Sequence, residues 1–124
     1  MLPVTVEQLG HAIATAEGWG IPGSIPTVAN NPGDLTGDDA GYFTTAGVMN
    51  KEGVVKFVDV DDGWSALHWK CYRILSGKSK VYPPEMTIEE MGMKYSGGNP
   101  NWAVNVAREL GLSVTTTIAE MGGL

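Results

Sequence analysis

Residues 5–20 read TVEQLGHAIATAEGWG, and this stretch sets the first structural element and the first candidate site together. Thr5 and Gln8 stand at capping-box spacing, in which a hydroxyl and a side chain three residues on each satisfy a free backbone group at a helix start. Val6, Leu9, Ile13 and Ala16 recur at helical intervals, so the spacing predicts a helix from Thr5 to Glu17 with one apolar face. Gly18 and Gly20 end it. Residues 18–39 are rich in Gly, Pro and Asn, with IPGSIP at 21–26 and NNPGD at 30–34 as successive turn signals, and read as one long loop. Loops of that length inside a compact domain are usually functional.

Beyond the loop, Tyr42–Thr44 and Val54–Val58 are short β-branched or alternating runs that read as a small β-hairpin. Asp61 or Asp62 is placed to cap a second helix running to Leu75, with Trp64, Leu67, Cys71, Ile74 and Leu75 on one apolar face and Gly77 as the stop. Thr87 and Glu90 have capping-box spacing for a third helix ending near Tyr95. Asn99-Pro100 opens a fourth that runs to Leu110 before Gly111, and Thr117 with Glu120 opens a last turn. No low-complexity segment or internal repeat is apparent. The expectation is an α+β, mainly α arrangement in a single domain spanning residues 1–124.

At 124 residues the chain holds one domain. Its 43% hydrophobic and 18% charged residues exclude a disordered chain, and 17 Gly with 7 Pro exclude a coiled coil. Eight basic against fourteen acidic side chains leave a formal charge of −6, which argues against nucleic acid or an anionic membrane surface as partner. No run approaches the roughly 18 apolar residues that cross a bilayer, so no membrane insertion is expected, and no signal peptide is visible. The lone Cys71 forbids an internal disulfide and reads as a core thiol.

Glu17 is the most informative position. A carboxyl at a helix C-terminus faces the negative end of the helix dipole, and apolar neighbours such as Ala16 and Trp19 desolvate it, so its pKa is expected to rise. That is what a general acid near neutral pH requires, although a solvated surface glutamate fits the same residues. Asn30 and Asn31 offer amides suited to sugar hydroxyls or N-acetyl groups, or else an Asx-turn that binds only itself. Asp34, Asp38 and Asp39 form the acidic side of the loop, and one of them would serve as a second carboxylate. Trp19, Tyr42, Tyr95 and Trp102 lie at loop edges or helix starts, placed either to stack on sugar rings or to pack inside. Asp59 to Lys70 fails as a calcium loop, since its glycine comes one position early and its twelfth residue is a lysine. His11 and His68 lack zinc spacing, and no phosphate-binding loop or nucleophile elbow occurs.

Taken together, Ile13 to Trp19 (IATAEGW), Pro22 to Pro26, Asn30 to Leu35, Phe57 followed by Asp62 to Leu67 (DGWSAL), and Tyr95 followed by Asn99 and Val106 to Gly111 (VARELG) resemble a known family. The chain resembles small phage and bacterial lysozyme-like domains, relatives of lytic transglycosylases and goose-type lysozymes, over roughly residues 6–120. The resemblance implies a lysozyme-like fold and a peptidoglycan-cleaving glycosidase with Glu17 as general acid at the β-1,4 bond. It implies Asp34 as a candidate second catalytic carboxylate, and Trp19, Ser24, Asn30, Asn31, Tyr42, Tyr95, Asn99 and Trp102 as candidate substrate contacts. Relatives show Tyr-Ala-Pro, then Glu-Asn and a later Tyr near the fourth helix, where this chain has Tyr95-Ser-Gly-Gly-Asn99 and then Trp102. The expected partner is peptidoglycan or a related amino-sugar polymer, acted on by a monomer with no metal; the proposed mechanism needs no cofactor, and the enzyme reading implies a periplasmic, extracellular or phage-associated setting. The alternative is a glycan-binding or phage structural module that keeps the fold without activity. A catalytic Glu17 is expected to be partly buried at the floor of an open groove and free of an ion pair with Lys or Arg.

Overall fold

Thr5 caps helix α1 (Val6–Glu17) as its spacing predicts: its Oγ1 accepts from Gln8 N at 3.1 Å, and Gln8 Oε1 accepts from Thr5 N at 2.9 Å. Leu9, Ala12, Ile13 and Ala14 are buried on the inner face, and Gly18 closes the helix in the left-handed conformation at φ 87°. The computed structural model describes residues 2–40 and 43–124. The remaining elements are the short helices α2 (Ile25–Val28) and α3 (Gly37–Ala40), strands β1 (Thr45–Val48) and β2 (Val55–Phe57), and helices α4 (Val60–Leu75), α5 (Ile88–Tyr95), α6 (Pro100–Leu110) and α7 (Ile118–Gly122). The chain is therefore α+β and mainly α, as expected.

Helices α1, α4 and α6 form the centre, with α1 packed on both others and α5 laid against α6. Leu67, Cys71 and Ile74 of α4, Ile13 of α1 and Val106 of α6 are fully buried there. Burial of this kind is the main stabilising term, roughly 1.5–3 kcal/mol for each large apolar side chain. Close approach needs small residues: a Cβ on Gly10 would lie 2.9 Å from His68, and one on Gly92 would lie 2.9 Å from Ala103.

Three boundaries differ from the sequence expectation. Helix α4 is capped by Asp59, whose carboxylate accepts from Asp62 N at 2.9 Å, so Asp61 and Asp62 lie in the first turn at the positive end of the dipole. The first hairpin strand lies at 45–48; of the expected 42–44, Tyr42 lies outside the described residues, and Phe43 and Thr44 precede the strand. It is exposed throughout, so it carries no apolar alternation, and its place is set by antiparallel pairing of Thr45 with Phe57 and Val48 with Val55 around a bulge. Within the long loop, two single helical turns, α2 and α3, interrupt what reads as irregular sequence.

The expectation of no internal repeat is also corrected. Residues 87–92 (TIEEMG) and 117–122 (TIAEMG) build the same helix start twice. Each threonine and its third-following glutamate form a full capping box. The two starts also exchange backbone bonds: Ile88 N donates to Thr116 O at 2.9 Å and Ile118 N to Met86 O at 2.8 Å, while Glu89 N and Ala119 N donate to Val114 O and Pro84 O. Every first-turn N–H that a helix leaves without an internal partner is thereby satisfied.

The loop at 29–35 runs beside β2 almost as a third strand. Phe57 N donates to Ala29 O at 2.9 Å and Val55 N to Leu35 O at 3.0 Å. It also settles onto α4, because Gly63 has no Cβ to meet the Asn30 carbonyl and Gly33 none to meet Leu67. Gly63→Ala gains up to about 1 kcal/mol of helix propensity but drives a methyl into that carbonyl. A net loss of about 2 kcal/mol is expected in urea denaturation, and unchanged stability would refute the close approach.

Candidate functional site

Glu17 ends α1, and the αL turn at Gly18 turns the chain away behind it. Its side chain is partly buried, and Oε2 accepts a hydrogen bond from Trp102 Nε1 at 2.7 Å. Trp102 lies in the first turn of α6 and is 2% exposed, so the indole is a fixed internal donor. The carboxyl of Asp34 faces Glu17 closely enough for the two to share a hydrogen bond. Asp34 sits at φ 52°, a left-handed conformation that Asp tolerates better than most residues.

The pair has a definite protonation pattern. Burial, and then the negative charge of Asp34, raise Glu17 from an ordinary 4.5 to about 7, while the Trp102 N–H and the positive charge of Lys70 oppose that rise. Burial raises Asp34 as well, and the hydrogen bond from Glu17 pulls it back. Their mutual hydrogen bond raises Glu17 and lowers Asp34, so Glu17 is the member of the pair that holds a proton more readily. Asp34 Oδ1 is buried and has no hydrogen-bond partner among the described residues.

A polar and aromatic wall supports the pair. Tyr95 stacks on Trp102 with ring centroids 4.9 Å apart, and its hydroxyl donates to Gly33 O at 2.7 Å, bracing the turn that carries Asp34. Lys70 Nζ lies 4.3 Å from the Tyr95 ring centre and 5.3 Å from that of Tyr82, and pairs with Asp39 at 2.7 Å. Lys70 is absent from the sequence-derived site. Its signal is a lysine inside the apolar stripe of α4, between Leu67, Cys71 and Ile74. Glu17 makes no ion pair with Lys or Arg among the described residues, and it lines none of three surface cavities of about 290, 330 and 430 Å³.

The sequence-derived residues therefore divide. Glu17, Asp34, Tyr95 and Trp102 come together, but Trp102 is buried and serves the carboxyl pair from inside, while Tyr95, partly buried, stacks on it. Asn31 is corrected as a substrate contact: it is 0% exposed, its amide nitrogen donates to Leu35 O and Val55 O, and its Oδ1 accepts from Leu35 N. Asn30 donates to Phe57 O, and Ser24 bonds Gly18 O and Thr27, so both tie the loop to itself or to the hairpin. Asn99 caps α6. Trp19 is half-buried, edge-on to Trp64 with centroids 5.7 Å apart. Tyr42 lies outside the described residues. Cys71 is buried, and its thiol is pushed up to about 12, which makes it inert. Among the described residues no three His, Cys, Asp or Glu side chains gather as a metal site, and no helix is long and apolar enough to cross a membrane.

No family model, curated protein or solved structure matches the chain. The chemistry of the site must therefore be argued from its geometry.

The neighbours of Glu17 should move its titration in opposite directions. Asp34→Asn removes the adjacent charge and lowers the Glu17 pKa from about 7, whereas Trp102→Phe removes the donor to the carboxylate and raises it further. Carboxyl carbon chemical shifts followed against pH check both. A Glu17 value unmoved by Asp34→Asn would contradict the pairing.

Proposed function

We propose that this chain is a peptidoglycan-cleaving glycosidase of the lysozyme or lytic transglycosylase type, with Glu17 as its general acid. The observation that carries the reading is the Glu17–Asp34 pair: one partly buried carboxyl whose pKa is raised to about 7, held by an indole N–H and facing a second acid. Such a pair costs folding free energy, and a proton held near neutral pH is what that cost provides. The resemblance of the sequence to lysozyme-like domains supplies the substrate class.

The closeness of the two carboxyls favours one reaction scheme. Glycosidases that use two carboxylates on opposite faces of a sugar hold them about 5–5.5 Å apart for retention, or about 6.5–9.5 Å apart for inversion. A hydrogen-bonded pair leaves no room for a sugar ring between its members. Asp34 is then a positioning residue that favours the proton on Glu17. Glu17 gives its proton to the glycosidic oxygen as the bond to the anomeric carbon breaks. Trp102 Nε1 and the charge of Lys70 stabilise the carboxylate that remains. That carboxylate takes a proton from the attacking hydroxyl as the new bond to the anomeric carbon forms. An internal sugar hydroxyl gives an anhydro ring, and water gives a reducing end.

The second reading, a glycan-binding or phage structural module without activity, draws on one observation. Glu17 lines none of the three cavities, and the indole that bonds it, Trp102, is packed inside. Digestion of purified peptidoglycan separates the two. Wild type is expected to release fragments lighter by one water than hydrolysis products, and Glu17→Gln to release none. Hydrolysed fragments would mean that water attacks, and no fragments from wild type would leave the second reading standing.

The same substitution reports on stability. The folded chain holds the Glu17 proton more tightly than the unfolded chain, with pKa about 7 against 4.5. Wild-type stability contributed by this group is therefore full below about 4.5 and falls as pH rises to about 7, by roughly 3 kcal/mol in all. Glu17→Gln has no such loss. Its advantage in urea midpoint should be small at pH 4, grow through pH 5–7 and level off above, and a pH-independent difference would refute the raised pKa.

A further inference from the structure

Residues 70–80 read KCYRILSGKSK and carry four of the eight basic side chains with no acid among them, in a chain of net charge −6. Part of this segment lines a cavity of about 330 Å³, built from the end of α4 and the loop after it together with Asp38 and Asp39. Lys70 is spent on Asp39 at 2.7 Å. Lys78 is turned away, donating to the Tyr72 hydroxyl at 2.9 Å. Arg73, Lys80 and Asp38 have no ion pair among the described residues, so the cavity presents two unpaired cations and one unpaired anion. Trp69, 40% exposed, closes its rim and stacks on Tyr72 with centroids 5.6 Å apart.

The geometry points to a recognition pocket for the acidic peptide branch of peptidoglycan, with Arg73 and Lys80 taking its carboxylates and Asp38 its free ammonium. The proposed peptidoglycan reading supplies the identity of this ligand; the charge pattern supplies the match. A branch carrying more carboxylates than ammonium groups complements two cations and one anion, whereas an uncharged glycan strand complements neither. Arg presents a planar fork suited to a carboxylate, and the apolar faces of Trp69 and Val81 accept the alkyl part of a diamino acid. A chain of packed side chains links the pocket to the carboxyl pair. Lys70 lines it while lying over Tyr95, and Tyr95 stacks on the indole that holds Glu17.

The test is titration of the folded, isotope-labelled chain with a soluble alanyl-γ-glutamyl-diaminopimelyl-alanine tetrapeptide, followed by amide chemical shifts. Saturable shifts confined to residues 38–39 and 69–82 are expected, with at least tenfold weaker binding for the carboxyl-amidated peptide, for Arg73→Gln/Lys80→Gln and for the loop variant Lys80→Gln alone. An N-acetylglucosamine oligomer without peptide should leave those amides unmoved. Absence of saturable shifts, equal affinity for the amidated peptide, or unchanged affinity in both variants would overturn the pocket. Peptide binding does not involve Glu17. Binding without cleavage of peptidoglycan would sink the enzymatic reading and keep the pocket, and cleavage without peptide binding would do the reverse.

Discussion

The amide of Asn31 is the constraint on which the rest of the site depends. It is fully buried and makes three hydrogen bonds, two to Leu35 and one to Val55. Each joins the loop after α1 to itself or to the hairpin, and a buried polar group is tolerated only when it is satisfied in this way. With Asn31 fixed, the turn at 31–34 closes, Asp34 adopts its left-handed conformation, and its carboxyl is delivered to the end of α1. Gly33 and Gly63 let the same loop approach α4 without a methyl group in the way. The loop is long in sequence and short in freedom.

Around that pin the molecule places two acids where neither is comfortable. One stands at the carbonyl end of a helix, and the other is on a left-handed turn with one buried oxygen that has no partner among the described residues besides the facing acid. The stabilising interactions come from further out: an indole N–H, a stacked tyrosine whose hydroxyl braces the turn, and a lysine lying over that ring. Rigid apolar packing surrounds an unfavourable electrostatic centre, which is the arrangement expected where a proton has to be kept ready for transfer.

The sequence exposed some of this and hid the rest for physical reasons. Helix starts were legible because Thr5 with Gln8, Thr87 with Glu90 and Thr117 with Glu120 act locally, within one turn. Glu17 was legible because helix periodicity and the following glycines fix where α1 ends. Strand β1 was not, since an exposed strand carries no pattern and takes its register from its partner. The inward roles of Trp102 and Asn31 were hidden for a similar reason. Whether an indole or an amide meets a ligand or the protein's own backbone is decided by chain segments far away in sequence. Lys70 is the instructive omission, because its place on an apolar stripe was visible while the two tyrosine rings that make that place tolerable were not.

The repeated TIxEMG segment carries a consequence for how the chain opens. Helices α5 and α7 each donate their first two amides to the carbonyls that precede the other, so neither start can fray while the other stays formed. Val4 N also donates to Met121 O at 2.7 Å, which ties the segment before α1 to α7. These pieces, separated in sequence by most of the chain, form one cooperative opening unit. The amides of Ile88 and Ile118 should then exchange with solvent at a common rate, and that rate should follow release of α7, whereas the amides deep in α1 and α4 wait for the whole domain to unfold.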